Sequence, residues 1–75
     1  MEMADVTVHI DETLGEEQLT MIAGTLRAHE GVMGVAHHEE KPHLMIIEYD
    51  PDRVSSGDLL KVVQGQGIHA ELIGL

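Results

Sequence analysis

The sequence contains no cysteine, and this absence excludes several classes of function. No disulfide can staple the chain, and neither a thiolate metal site nor a nucleophilic thiol is possible. Phenylalanine and tryptophan are also absent, and there is one tyrosine. The core must therefore be built from valine, isoleucine, leucine, methionine and alanine.

Basic residues are also scarce, since four lysines and arginines stand against fourteen acidic residues and give a formal net charge of −10. Such a chain repels phosphate backbones and anionic lipids, so we expect neither nucleic acid nor a membrane as partner. Cations and basic proteins are its natural electrostatic partners. The six histidines should relax the charge repulsion as they take up protons near pH 6.5, about their unperturbed pKa.

Long apolar runs are missing as well. No stretch approaches the ~20 apolar residues that span a bilayer. The first five residues, MEMAD, have neither the positive start nor the apolar run of a signal peptide. We therefore expect a soluble cytoplasmic protein, and 75 residues predict one small domain over residues 1–75.

Hydrophobic periodicity predicts alternating strands and helices. Strict alternation of apolar residues over Val6–Ile10 is typical of a strand with one buried face. Thr13 and Glu16 have the spacing of a capping box and predict the start of a helix that ends at Gly31. The apolar stripe of that helix consists of Leu19, Ile22, Ala23 and Leu26.

The second half of the chain repeats this order with a hairpin in front. Strands are predicted over Val32–His38 and His43–Tyr49, joined by a polar turn, Glu39-Glu40-Lys41-Pro42. Ser55 and Asp58 predict a second capping box, and Gly65 and Gly67 end the helix that follows. Ile68–Ile73 is the predicted fourth strand.

The resulting order, β-α-β-β-α-β, predicts an α+β, ferredoxin-like sandwich. We expect a four-stranded antiparallel sheet in the order 4-1-3-2 with both helices on one face. Side-chain parity then leaves Leu44, Ile46 and Ile73 on the open face of the sheet. These residues make that face more apolar than a solvated surface needs, and they are candidates for an interface.

The pattern resembles the heavy-metal-associated domain, the module of copper chaperones and metal-transporting ATPases. The resemblance covers nearly the whole chain and is strongest in its second half. It rests on Gly31-Val32-x-x-Val35, Tyr49-Asp50-Pro51, Val54-Ser55, Leu59-Leu60 and Gly67-Ile68-x-Ala70, which fall at the family's spacings with about one extra residue in the hairpin. It implies the same fold and a role in metal homeostasis.

The sequence departs from the family at the metal site itself. The family carries Met-x-Cys-x-x-Cys between the first strand and the first helix, and the two thiolate positions fall here on Gly15 and Gln18. The methionine position falls on Thr13, and the aromatic residue that often follows the glycine before the last strand is here Ile68. The resemblance therefore implies the fold but not the family's thiolate chemistry, because neither residue replaces a thiolate as a ligand for a soft ion.

Histidines supply the candidate ligands. His37, His38 and His43 flank the hairpin turn, and imidazole with carboxylate suits Zn²⁺, Cu²⁺ or Ni²⁺. Parity places His37 and His38 on opposite faces, so the alternative is a polar hairpin tip with incidental imidazoles. A second candidate group is His9, His69 and Glu71, which neighbouring first and fourth strands can bring together. Its alternative is a simple histidine–carboxylate hydrogen bond.

Two functions are favoured, and neither is enzymatic, since paired carboxylates occur only on exposed turns and no phosphate-binding loop is present. The first is a small binding protein with a metallochaperone-like fold that binds a divalent metal through histidines. The second is an interaction module, either a homodimer or a complex with a partner protein, that uses the open sheet face and has no metal role. A ligand-sensing regulatory domain of similar topology stays open as a third, although the net charge of −10 argues against anionic ligands.

Overall fold

The six predicted elements are present and in the predicted order. A computed structural model describes residues 2–38 and 40–73. Its elements are β1 Ala4–Ile10, α1 Glu16–Arg27, β2 Val32–His38, β3 Lys41–Tyr49, α2 Ser56–Gln64 and β4 Ala70–Ile73. The described strands form one antiparallel sheet in the order β2-β3-β1-β4, which confirms the predicted 4-1-3-2 sandwich.

The core lies between the sheet and the two helices. Residues of one parity on the central strands are buried, including Val8, Ile10, Met45 and Ile47, each with 0% exposure. Leu26, Leu59 and Val63 seal this layer from the helix side, also at 0%. The aliphatic core that the missing aromatics required is therefore present, with Tyr49 at its edge.

Helix α2 begins as predicted. Ser55 accepts a hydrogen bond from the Asp58 amide at 3.1 Å, and the Asp58 carboxylate accepts one from the Ser55 amide at 3.4 Å. The two bonds satisfy donors that a helix start leaves without partners. Hydrogen bonding of the Asp58 carboxylate to Ser55, first to its side chain and then to its amide, holds the pKa of Asp58 below its usual value.

The predicted capping box at Thr13 is wrong. Helix α1 begins at Glu16, Gly15 is its N-cap with extended backbone, and no side chain caps it. The start is delayed because Leu14 is buried against the core, which holds the preceding residues in a loop. Glu16 and Glu17 still place negative charge in the first turn, where the helix dipole favours it.

Strand boundaries differ from the predictions at three places. β1 begins at Ala4, β3 begins at Lys41, and β4 begins at Ala70. Pro42 is tolerated inside β3 because the β2–β3 register shifts between His37 and His38, so no regular ladder bond is needed there. Glu39 of the predicted turn lies outside the described residues.

No helix among the described residues combines the length and apolarity needed to cross a membrane.

Candidate functional site

Five of the six histidines lie at one end of the sheet. This end is formed by the last residues of β1 and β2 and the first residues of β3 and β4, because the neighbouring strands are antiparallel. The histidines are His9, His37, His38, His43 and His69. His29 follows α1 and lies at the opposite end, next to the start of β2. The histidine-rich end also carries the loop between β1 and α1, residues 11–15.

At this end the structure brings together one group of three potential metal ligands, His9, Asp11 and Glu71. His9 Nδ1 lies 3.2 Å from Asp11 Oδ1 and 3.8 Å from Glu71 Oε1. One ligand atom from each of the three residues lies within 4.8 Å of the other two, and this is the one such trio of potential ligands within residues 2–38 and 40–73. Register explains part of the arrangement, since His9 and Glu71 are directly paired across β1 and β4.

One ring nitrogen of His9 has no hydrogen-bond partner among the described residues. His9 Nδ1 is shielded from solvent and makes no hydrogen bond to any described residue, although Asp11 is close. The His9 side chain as a whole is 37% exposed, and those of Asp11 and Glu71 are 58% and 72% exposed. A shielded nitrogen that faces two carboxylates is therefore open to a proton or a cation.

His43 supports this group from the side. Its ring stacks on the ring of His9 with centroids 5.8 Å apart and an interplanar angle of 17°. Its Nδ1 lies 2.8 Å from the carbonyl oxygen of Ile10, just beyond the pairing of β1 with β3. Because a carbonyl can only accept, Nδ1 carries the proton, and this bond fixes the orientation of the ring that packs against His9.

The other sequence-predicted ligands point elsewhere. His37 is half-buried on the helix-facing side opposite Met45, and its shielded Nδ1 has no hydrogen-bond partner in the described part of the chain. His38 is exposed beside Lys41. Together with His43 they form no group of three converging ligands among the described residues. Sequence reasoning placed His9 beside Glu71 but missed Asp11, which lies two residues beyond His9 where β1 ends.

His69 is bound to Glu12 instead of joining His9. Glu12 Oε2 lies 2.8 Å from His69 Nδ1, and the same carboxylate accepts the His69 amide at 2.9 Å. Hydrogen bonds to His69, first from its ring and then from its amide, hold the pKa of Glu12 below its ordinary value. The Glu12 carboxylate in turn raises the pKa of His69. This pair ties the β1–α1 loop to the start of β4.

The Glu12–His69 pair predicts a pH dependence with a defined sign. Because the folded-state pKa of His69 is raised, its contribution to stability is complete below about pH 6.5 and is lost as pH rises through the raised pKa. Because the pKa of Glu12 is lowered, its contribution is lost as pH falls through that lowered pKa. NMR titration should find the His69 ring protonated at higher pH than a free imidazole.

Glu12→Gln is expected to return the His69 pKa towards its ordinary value, because the amide carries no charge. Glu2→Gln, a change of the same chemistry at an exposed residue near the start of the chain, should leave it where it is. Identical His69 titration curves in wild type and Glu12→Gln would contradict the assigned cause.

The positions of the family's thiolates hold no comparable group. Gly15 caps α1, and Gln18 lines a shallow pocket of about 170 Å³ between α1 and the α2–β4 connection. The other lining residues are Leu14, Met21, Ile22, Gln66 and Ile68. A pocket with two amides and apolar walls does not fit a soft metal ion, which prefers thiolate.

The open face of the sheet is the second candidate surface. Ile46 and Ile73 are each 40% exposed, and Leu44 is half-buried. Ile46 and Ile73 both flank Thr7, one on each neighbouring strand, and Ala36 extends the row to β2. A groove of about 310 Å³ runs along this face beside Leu44 and Ile46. The interface role predicted for these residues stays a prediction.

Comparison with known proteins supports the fold. No protein-family model matches the chain, and no curated protein matches it by sequence. Oxidized MerP from Ralstonia metallidurans CH34 superimposes with a TM-score of 0.86 at 16% identity, over 97% of this chain and 100% of that one. A copper binding domain from HMA7, a P-type ATPase, gives 0.84 at 16% identity over 93% of both chains.

The yeast copper transporter domain Ccc2a gives a TM-score of 0.82 at 17% identity, over 93% of this chain and 94% of that one. At such identities the likeness shows the backbone fold and not the ligands. The chain has the fold of heavy-metal-associated domains, as its sequence pattern implied, and it has no cysteine with which to build their thiolate site.

Proposed function

We propose that this protein is a thiol-free metal-binding domain that takes a borderline divalent cation, Zn²⁺, Cu²⁺ or Ni²⁺, at His9, Asp11 and Glu71. The observation that carries the proposal is the shielded His9 Nδ1, which has no hydrogen bond to a described residue and faces two carboxylates. Imidazole with carboxylate is a donor set that these ions accept, whereas Cu(I) and other soft ions prefer sulfur.

The distances suit such an ion after a small contraction. Ligand bonds of about 2.0–2.2 Å in a tetrahedral site place neighbouring ligand atoms roughly 3.3 Å apart. His9 Nδ1 lies 3.2 Å from Asp11 Oδ1 and 3.8 Å from Glu71 Oε1. The Asp11 and Glu71 ligand atoms lie within 4.8 Å of each other, and both carboxylates are on exposed side chains that can rotate towards an ion.

Charge favours the same conclusion. A formal net charge of −10 raises the local concentration of cations, and two carboxylates neutralise a divalent ion within the group itself. Three protein ligands leave at least one position of a tetrahedral ion for water or for a ligand from another molecule. An ion held in this way can be bound and passed on, so the group is a binding or delivery site and not a catalytic one.

Calorimetric titration of the metal-free protein with Zn²⁺, Cu²⁺ and Ni²⁺ tests the proposal. We expect one ion per chain for at least one metal, and a Kd that rises roughly 100-fold in His9→Gln, which corresponds to about 2.7 kcal/mol. Glu71→Gln and Asp11→Asn should each weaken binding in the same direction. His29→Gln is the matched control, because His29 lies at the opposite end of the sheet and should leave the Kd within about twofold.

Other outcomes discriminate between the alternatives. Binding that survives in His9→Gln and disappears in His38→Gln or His43→Gln would move the site to the hairpin and overturn the proposal. Absence of binding with all three metals would leave His9, Asp11 and Glu71 without a ligand role, and the metal role would then be rejected.

A further inference from the structure

Charge is arranged along the open sheet face in a definite order. At one end Asp5 and Glu48 are directly paired across β1 and β3 and point to the same side. Directly opposed side chains have Cβ atoms about 4.5–5.5 Å apart, where like charges destabilise the sheet. Neither carboxylate forms an ion pair with any residue that the structure describes.

The middle of this face is apolar, and its other end is again acidic. The central row consists of Ala36, Ile46, Thr7 and Ile73, one residue from each strand. Beyond it, Glu71 and Asp11 lie beside His9 on the β1–β4 side, while Lys41 and His38 line the groove on the β2–β3 side. Asp5 and His9 are four residues apart on β1, so the two acidic ends are separated by about 13 Å. The central row spans four strands, or about 14 Å across the sheet.

The sheet edges are less available than the face. Arg27 of α1 donates to the Val35 carbonyl of the edge strand β2 at 2.9 Å. Gln64 of α2 donates to the Ala70 carbonyl of the edge strand β4 at 3.3 Å. Each edge strand thus has a helix side chain bound to its backbone, which hinders the addition of a further strand. No described element packs over the open face, so Ile46 and Ile73 stay accessible to a partner there.

We infer that the open face binds a basic amphipathic helix of a partner protein, with apolar side chains over Ile46 and Ile73 and lysines or arginines at the two acidic ends. A helix of about 10–12 Å diameter fits a row about 14 Å wide. At a rise of 1.5 Å per residue, a separation of about 13 Å corresponds to basic residues eight or nine positions apart.

A second copy of this chain is a poorer occupant. In a face-to-face dimer with aligned β1 strands, parallel or antiparallel, each acidic end meets an acidic end of the other copy. Each copy also has a formal net charge of −10, so association adds long-range repulsion. A basic partner removes both penalties and places cations beside Asp5 and Glu48, whose mutual repulsion it relieves.

The test uses a synthetic probe and the whole chain. The probe is an alanine-based helical peptide with leucines along one face and lysines eight positions apart on that face; a second peptide has glutamates in place of the lysines. Each is titrated into isotope-labelled protein in the presence of a chelator, and binding is followed by NMR amide shifts. The chelator removes divalent ions, which would neutralise Asp11 and Glu71 and compete with a lysine at that end.

We expect the lysine peptide to shift amides of β1, β3 and β4 and the glutamate peptide to shift none. Asp5→Asn with Glu48→Gln should raise the Kd of the lysine peptide at least tenfold. Glu16→Gln with Glu17→Gln removes the same charge from the first turn of α1, on the other side of the sheet, and should change the Kd less than about twofold.

A second pair of variants tests the apolar contact. Ile46→Ser should weaken the lysine peptide at least fivefold, whereas Met21→Ser, at a 68%-exposed residue of α1, should not. Equal weakening by both charge variants would reveal attraction to net charge alone and overturn the inference. Shifts confined to the helices, or no shifts at millimolar peptide, would also overturn it, as would self-association of the chain through this face.

Discussion

Replacement of Gly31 by alanine is expected to lower the free energy of unfolding by about 3 kcal/mol. Gly31 has φ of +87°, a backbone conformation that costs an L-residue roughly 1–2 kcal/mol. A Cβ there would also lie 2.8 Å from Val54 Cγ1 and 3.0 Å from Arg53 Cβ. Val54 is buried against the core, so it cannot move aside freely, and overpacking of this kind adds about 1–3 kcal/mol.

The loss is large for a chain of 75 residues. Typical stabilities of 0.05–0.15 kcal/mol per residue give roughly 4–11 kcal/mol for this length. A loss of about 3 kcal/mol should lower Tm by roughly 12–24 °C in a domain of this size. Thermal unfolding followed by circular dichroism, with urea unfolding at 25 °C, measures both quantities.

Two other glycines separate the two causes. Gly67 has φ of +83°, but no atom lies within 4 Å of the position that a Cβ would take, so Gly67→Ala should show the backbone term alone, about 1–2 kcal/mol. Gly24 is helical and has open space around it, so Gly24→Ala should stabilise the protein by about 0.5–1 kcal/mol. A loss in Gly31→Ala no larger than that in Gly67→Ala would contradict the contact with Val54.

The sequence predicted the fold because its local signals agree with one another. Alternation over Val6–Ile10, the apolar stripe of α1 and the Ser55–Asp58 box all point to the same sandwich, and all three are present. The predicted helix start at Thr13 was wrong, although the spacing from Thr13 to Glu16 satisfies the local pattern of a capping box. Burial of Leu14 overrides that rule, and such a long-range contact is invisible in the local pattern.

The candidate metal group was only partly predictable for a similar reason. Parity and strand order place His9 beside Glu71, and both follow from the sequence. The position of Asp11 depends on the path of the chain after β1. His69 lies apart from His9 because it is hydrogen-bonded to Glu12, 57 residues away in the sequence. Periodicity describes regular strands, so it carries no information on side chains where the strands end.

The fold and the proposed site use different halves of the molecule. The helix-facing side of the sheet holds the core, while the open face and the histidine-rich end hold the acidic groups of the two proposed binding surfaces. Changes on the open face should therefore alter binding with little effect on folding. Ile46 and Ile47 allow this separation to be tested with two neighbouring residues of the same type.

Ile47→Ala is expected to lower the free energy of unfolding by about 3–4 kcal/mol, since removal of a buried isoleucine to alanine costs roughly 2–5 kcal/mol. Ile47 is 0% exposed on the central strand β3, paired with Val6 on one side and Val35 on the other. Tight surroundings on both sides limit collapse of the cavity, which places the loss in the middle of that range.

Ile46→Ala is the matched control. Ile46 is 40% exposed on the opposite face, so removal of three partly buried carbons should cost about 1.5 kcal/mol in the same urea unfolding measurement, no more than half of the loss at Ile47. Titration with the lysine peptide should give the reverse order, because Ile46→Ala removes a contact with the peptide and Ile47 lies behind the sheet. Equal losses of stability at the two positions would contradict the assignment of faces on which both proposed binding surfaces depend.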